Sequence, residues 1–273
     1  MEPETLRVAA VQLQSQDDVP QNLAECRNLV AVASSEGAKL VVLPENFAYF
    51  GVEESKRQLA EPVPDPSAPI QRALSDMARE ASVFLVAGGF PEASPDFGRP
   101  YNTALVFGPD GALVGSYRKI HLFDVALQDG TILAESAATT PGQSLLTFDI
   151  GRFRVGLSIC YDLRFPELYR GLVSQGANVL LVPAAFTVHT GKDHWHTLLR
   201  ARAIESQAYV IAAAQWGKHP RGRTTYGHSL VVDPWGSVVA EASDRVGVVS
   251  ANLDLKYLEQ VRAAVPCLDH RRL

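Results

Sequence analysis

The sequence predicts an α/β protein built as a four-layer α-β-β-α sandwich of two mixed sheets, and three observations carry that prediction. Apolar, strand-like runs alternate with amphipathic helical stretches through the first half of the chain. Four of those elements recur in the same order in the second half, and no flexible Gly/Ser linker separates the halves. The arrangement expected is therefore one domain over 1–273 with an internal pseudo-repeat; a single doubly wound sheet is the alternative.

Taken in order, RVAAVQL (7–13) is a strand, and PQNLAECRNLVAVASSEG (20–37) has helical periodicity, with Pro20 suited to a first turn and Gly37 to a stop. KLVVLP (39–44) is a buried strand. A proline-rich connection from Pro62 to Pro69 leads into APIQRALSDMAREA, a second amphipathic helix, and then into the strand VFLVAGGF (83–90). NTALVFGPDGALVGSYRK (102–119) reads as a hairpin turning at Pro109-Asp110-Gly111. In the second half RVGLSIC (154–160) answers RVAAVQL, VLLVPAAF (179–186) answers VVLPENF, and ESQAYVIAAAQ (205–215) answers EASVFLVAGGF. The hairpin SLVVDPWGSVVA (229–240) matches ALVFGPDGALVG (104–115) at an offset of 125 residues, the same as from Glu80 to Glu205. The halves differ where chemistry is possible: Leu43-Pro44-Glu45 against Val182-Pro183-Ala184, and Leu13 against Cys160.

Composition narrows the function classes. A chain of 273 residues with 47% hydrophobic and 20% charged content suits a globular enzyme with a sizeable core. The net charge of −5 and the lack of any basic run exclude an electrostatic footprint for nucleic acid or an anionic membrane, which leaves a small molecule as the expected substrate. No apolar run approaches the roughly 18 residues of a membrane span, and the residues before the first strand are acidic, so a cytoplasmic location is expected. Cys26, Cys160 and Cys267 are too few and scattered for a disulfide framework or zinc knuckle. No GxGxxG or GxxxxGK[ST] stretch is present, which argues against dinucleotide or nucleoside triphosphate chemistry.

The stretch RVGLSICYDLRFPELY (154–169) drives an apolar strand to an abrupt polar end at Cys160, with Pro166 placed for a first helical turn. A thiol at a strand-to-helix junction is placed for nucleophilic attack, where a helix N-terminus would favour thiolate and backbone N–H groups could hold an oxyanion. A small buried hydrophobe is the other reading of such a cysteine. Glu45 ends a doubly buried strand and Lys119 ends the hairpin strand, so each carries a charge that needs a partner. If the three strand ends share one rim, the set is complete for acyl transfer. Glu45 would be the general base, Cys160 would form a thioester, and Lys119 would lower the thiol pKa from about 8.5 and stabilise the oxyanion with the Tyr161 backbone N–H. Read singly, Glu45 could be a solvated loop residue, Lys119 an exposed edge residue and Glu135 a surface residue, while Arg164 and Glu167 could be a local ion pair. A Cys-His hydrolase using His121, or a metal cluster of His189, His194 and His196, competes with this set; the cluster has neither HExxH nor paired cysteines.

Together LPENF around Glu45, YRKIHLFD around Lys119 and GLSICYDLRFPELYR around Cys160 resemble the three signature segments of the nitrilase superfamily of carbon-nitrogen hydrolases, over about residues 6–270. The resemblance implies the α-β-β-α fold, a Glu-Lys-Cys triad of Glu45, Lys119 and Cys160 without cofactor or metal, and a homodimer that continues the sandwich, with the tail 255–273 in its contacts. It also implies a second glutamate near the thiol, a position that Glu135 matches. Tyr161, Arg164, His194 and Trp195 are the expected substrate or oxyanion contacts. The tract HWHTLLRARAIESQAYVIAAAQWGKH, with RTTYGHSLVVDPWG and the terminal DHRR, is most similar to the Nit1 branch, which implies hydrolysis of deaminated glutathione to 2-oxoglutarate and cysteinylglycine. The ω-amidase branch, acting on 2-oxoglutaramate, is the neighbouring alternative, and a non-catalytic partner-binding protein that keeps the fold is the alternative of another class. An anionic substrate would need cations, for which Arg164, Lys218, Arg221 and Arg223 are candidates; the last three also read as a solvated loop. The insert 123–133 and the loop 217–224 are where branches of the superfamily differ.

Overall fold

Along β1 (Thr5–Gln12), Leu6, Val8 and Ala10 join one apolar cluster and Ala9 and Val11 another, because successive side chains of a strand face opposite ways. A strand buried on both sides needs cover on both sides, and the order of elements supplies it. The computed structural model describes residues 4–126 and 132–272, so the centre of the 123–133 insert lies outside the described residues. After β1 come α1 (Val19–Ser35), β2 (Leu40–Leu43), α2 (Glu53–Gln58), α3 (Pro69–Ala81), β3 (Phe84–Glu92), β4 (Tyr101–Phe107) and β5 (Leu113–Arg118). β1, β2 and β3 pair in parallel, and β4 and β5 continue the sheet antiparallel. Cys26 and Val30 of α1 and Ile70, Leu74 and Met77 of α3 pack with Val11, Val41, Leu85 and Leu105 on one face. Periodicity fixed both helices; Asp18 caps α1 by accepting from Gln21 N–H.

The second half begins with a short ribbon, β6 (Asp124–Ala126) and β7 (Ile132–Ala134), followed by β8 (Thr147–Ile150), β9 (Phe153–Leu157), α4 (Pro166–Ser174), β10 (Val179–Leu181), α5 (Val188–Ser206) and β11 (Tyr209–Ala212). A second ribbon, β12 (Trp216–Lys218) and β13 (Thr224–Tyr226), precedes β14 (Leu230–Val232), β15 (Val238–Glu241), β16 (Gly247–Asp254) and α6 (Leu255–Ala264). One sheet runs β16-β1-β2-β3-β4-β5 and the other β8-β9-β10-β11-β14-β15. Each has a parallel trio, one antiparallel strand before it and an antiparallel pair after it. The molecule is thus a four-layer α-β-β-α sandwich, and the predicted repeat is a repeat of topology.

The halves are not fully independent. The strand matching β8 is β16, which arrives from the far end of the chain and pairs along the whole of β1, from Thr5 opposite Asp254 to Gln12 opposite Gly247. Leu255 and Leu258 of α6 then enter the main apolar cluster, so this helix spends its buried face within its own chain. Among the described residues, no helix is long and apolar enough to cross a membrane.

The inner faces of the sheets share that cluster, with Val8, Val42, Val86 and Val106 from one sheet and Val155, Leu157 and Leu181 from the other. They come into close contact at Gly88, where the β3–β4 register shifts. A Cβ there would lie 2.0 Å from Pro183 Cβ and 2.9 Å from Leu43 O. Gly88→Ala is therefore expected to force the sheets apart, with an overpacking cost of about 1–3 kcal/mol. Urea unfolding checks this as a lower midpoint at unchanged slope; a midpoint equal to wild type would show that this contact does not set the sheet spacing.

Candidate active site

Three strands deliver reactive side chains to one rim. Glu45 lies two residues beyond β2, Lys119 follows β5 directly, and Cys160 lies three residues beyond β9. Glu135 opens the 3-10 turn Glu135–Ala137 after the first ribbon. Lys119 Nζ donates to Glu45 Oε1 at 3.0 Å and to Glu135 Oε1 and Oε2 at 3.1 and 2.8 Å. The Lys119 side chain is 2% exposed, so the two carboxylates replace its lost hydration.

Neighbouring groups hold those carboxylates in place. Asn102 Nδ2 donates to Glu45 Oε1 at 2.9 Å and to Glu135 Oε1 at 3.3 Å, and Phe123 N–H donates to Glu135 Oε2 at 2.7 Å. Gln215 reaches across from the other half and donates to Glu45 O at 3.0 Å. Gly89, at φ +64°, leaves the space these groups use: a Cβ there would lie 2.6 Å from Asn102 Oδ1 and 2.8 Å from Glu45 Cγ.

Cys160 has φ +50°, which is unusual for a residue with a side chain. The buried carboxylate of Asp162 clamps this bend. It accepts Ile159 N–H at 2.9 Å, the Tyr117 hydroxyl at 2.7 Å and His121 N–H at 2.9 Å, with His121 Nδ1 also at 2.7 Å. Tyr117 and His121 stand two residues either side of Lys119, so one carboxylate ties the lysine strand to the cysteine bend. Arg202 of α5 supports the same bend through two bonds to Leu163 O at 3.0 and 2.8 Å. The thiol does not stand at a helix N-terminus as expected from the sequence; the 3-10 turn Cys160–Arg164 intervenes, and α4 starts only at Pro166.

Charge state follows from these contacts. Burial would depress Lys119, but Glu135, Glu45 and Cys160 outweigh it and hold the ammonium well above its ordinary value. Burial would raise Glu135, but the Lys119 charge and hydrogen bond win and its carboxyl is pulled down. Burial, followed by the Glu45 charge, pushes the Cys160 thiol well above its usual range, although Lys119 and the Ala185 N–H pull the other way. Lys119 does pull the thiol down as expected, but burial and the Glu45 charge outweigh it, and the resting thiol keeps its proton.

Glu45, Lys119, Glu135 and Cys160 line one cavity of about 650 Å³. Phe50, Phe123 and Val188 give it apolar walls, and Lys56, His189, Arg221 and Arg223 bring positive or titratable groups to it. Arg221 and Arg223, candidates for the carboxylates of an anionic substrate that also read as a solvated loop, reach the cavity; Arg223 lies 3.8 Å from Glu53 and Lys218 stays exposed outside it. Tyr161 and Arg164 line a small recess beside Cys160. Arg164 faces His194 Nδ1 at 3.2 Å rather than Glu167, and His194 is exposed. Trp195 is fully buried, packs on Phe186 and donates to His228 O at 2.8 Å, so it lines neither space. His121 is stacked on Phe165 and bound to Asp162, and it is not in the cavity lining. The grouping of His189, His194 and His196 is not met either: successive turns of α5 send them to the cavity, to Arg164 and to Glu241. Sequence reasoning missed Asn102, Asp162, Gln215 and Lys56; only Asp162, a charge two residues beyond Cys160, carried a hint.

The carbon-nitrogen hydrolase model matches residues 7–263, nearly the full length on which this geometry is built. The chain belongs to the carbon-nitrogen hydrolase family. It is an enzyme of that family, a hydrolase of carbon-nitrogen bonds. A deaminated glutathione amidase from Synechocystis sp. is 46% identical over 266 residues, covering 96% of this chain and 97% of its own length. The human omega-amidase NIT2 is 39% identical over 269 residues, covering 98% and 95%. Among solved structures, Saccharomyces cerevisiae Nit3, a member of branch 10 of the nitrilase superfamily, superposes with a TM-score of 0.90 over 100% of this chain and 98% of its own, at 36% identity.

Within this carbon-nitrogen hydrolase the raised thiol has a direct signature. Alkylation requires thiolate, so the rate at Cys160 should still climb with pH above the free-thiol value of about 8.5. Iodoacetamide labelling resolved by peptide mass spectrometry, with the exposed Cys267 as internal reference, measures this profile. A Cys160 rate that levels off below neutral pH would contradict the charge assignment.

Proposed function

We propose that this carbon-nitrogen hydrolase is a cysteine amidase that cleaves the amide of a small carboxylated substrate, deaminated glutathione, through a thioester on Cys160. The observation that carries the reading is the buried Lys119 bridged by Glu45 and Glu135 beside the Cys160 thiol, at a cavity that also takes in Lys56, Arg221 and Arg223. Glu45 removes the thiol proton as Sγ attacks the amide carbon, and the carbonyl electron pair moves to oxygen. Lys119 and the Tyr161 N–H stabilise that oxyanion. Collapse breaks the carbon-nitrogen bond; the proton held by Glu45 leaves with the amine of cysteinylglycine. Water, deprotonated by Glu45, then attacks the thioester, releases 2-oxoglutarate and returns a proton to sulfur. Glu135 holds Lys119 charged and in register throughout, and no metal or cofactor enters.

The rim cations match a substrate with carboxylates at its end, since charge-assisted bonds to such groups discriminate well against neutral amides. Arg164 and His194, beside the recess at Cys160, are the next candidates for substrate contact. The likeness to omega-amidase NIT2 supports 2-oxoglutaramate as a second substrate, which the same chemistry would serve. The reading includes a homodimer or higher homo-oligomer, for which the exposed Trp235 and Ile204, beside the Gly236 turn, offer apolar surface.

Release of 2-oxoglutarate from each substrate, by wild type and Cys160→Ala, tests the reading. A preference for deaminated glutathione of about tenfold or more in kcat/KM is expected, with roughly a thousandfold loss or more in the variant. A preference for 2-oxoglutaramate would move the assignment to omega-amidase, and an active Cys160→Ala would overturn the mechanism.

A further inference from the structure

Away from the cavity, three metal-ligating side chains converge from separate elements. His196 Nε2 and His228 Nδ1 each lie 2.8 Å from one oxygen, Glu241 Oε1. The three ligand atoms are all within 4.8 Å of one another. His196 comes from α5, His228 from the turn before β14 and Glu241 from the end of β15. His228 sits at φ +58°, a conformation that a residue with a side chain holds only when its surroundings impose it. The buried Trp195 holds the carbonyl of this residue, donating from Nε1 to His228 O at 2.8 Å. The other ring nitrogen of His228, Nε2, faces Asp244 Oδ1 at 3.7 Å. The Tyr226 ring lies over His228, with ring centroids 4.3 Å apart, and walls one side of the cluster.

We propose that His196, His228 and Glu241 form a binding site for a divalent transition metal of the zinc class, with solvent completing the coordination. Two imidazoles and one carboxylate are a donor set that zinc accepts, and all three side chains retain contact with solvent for the remaining position. Bonds of about 2.0–2.2 Å in tetrahedral arrangement place ligand atoms about 3.3 Å apart. Each imidazole nitrogen must therefore retreat from Glu241 Oε1 by about half an ångström, within the reach of small side-chain torsions. On binding, His228 coordinates through Nδ1 and carries its ring proton on Nε2, where Asp244 stands as the outer carboxylate that orients a metal-bound imidazole. The ion clips α5 to the β14–β15 hairpin. Because the N-terminal turn of α5 contributes Val188 and His189 to the cavity, the clip steadies one cavity wall without entering the hydrolysis.

Thiols must be removed from the test because they also take zinc. Calorimetric titration of Zn²⁺ into the full-length Cys160→Ala/Cys267→Ser protein is expected to give one ion per chain. Adding His196→Ala or Glu241→Gln to that background should weaken binding by about tenfold or more. Co²⁺ should give visible d–d bands in the background protein and lose them in either variant, and Zn²⁺ should raise the melting temperature only where all three ligands remain. His196 is partly exposed on a helix surface, so His196→Ala should fold, as unchanged circular dichroism would verify. No binding at micromolar zinc, or equal affinity in background and variants, would overturn the site and leave a simple hydrogen-bonded latch.

Discussion

The structure depends on a buried ammonium held between two carboxylates. Lys119, Glu45 and Glu135 have lost most of their water, and removing one partner would leave an uncompensated charge at a cost of several kcal/mol. That cost dictates geometry: β2, β5 and the turn after the first ribbon must end at the same place, to within hydrogen-bond distance. The thiol beside the ammonium is governed by burial and by the Glu45 charge, which together outweigh the pull of Lys119, so Cys160 rests protonated and the proposed reaction needs a base when substrate arrives.

A second constraint links the two halves. The repeated scaffold brings strand ends of both halves to one rim, and the proposed chemistry uses residues from both. Asp162 bridges the bend that carries Cys160 to the strand that carries Lys119, and Gln215 of the second half holds the backbone of Glu45 in the first. Gly88 and Gly89 permit this close approach, since a side chain at either would strike Pro183 or Glu45 itself. The proposed reaction thus rests on contacts between halves more than on any single motif.

Much of this was legible in the sequence, for identifiable reasons. Apolar runs of β-branched residues marked β1, β2, β3, β9, β10 and β11, and the matched turns Pro109-Asp110-Gly111 and Asp233-Pro234-Trp235-Gly236 marked both hairpins. The repeat exposed Glu45 and Cys160 as departures from a shared pattern, and Lys119 stood out as a charge at the end of a hairpin strand. β16 was not legible, because its partner β1 lies some 240 residues away and nothing local specifies the pairing. The cavity cations of the second half were legible only as one of two readings: Arg221 and Arg223 sit in a loop whose composition is that of solvated surface, and the fold turns it toward Cys160. Trp195 misled in the opposite direction, since an aromatic among histidines suggests a pocket but here fills the core. The argument for thiol activation counted the pull of Lys119 and left out burial, which raises the thiol more than the lysine lowers it.

The central claim is that Cys160 carries the acyl group during turnover. Rapid mixing of wild-type enzyme with deaminated glutathione, acid quenching and peptide mass spectrometry reads this directly. The account predicts a transient 2-oxoglutaryl adduct on the peptide containing Cys160, formed before 2-oxoglutarate reaches its steady rate of release. Turnover with no adduct on that peptide, or with the acyl group on Cys26 or Cys267 instead, would contradict it.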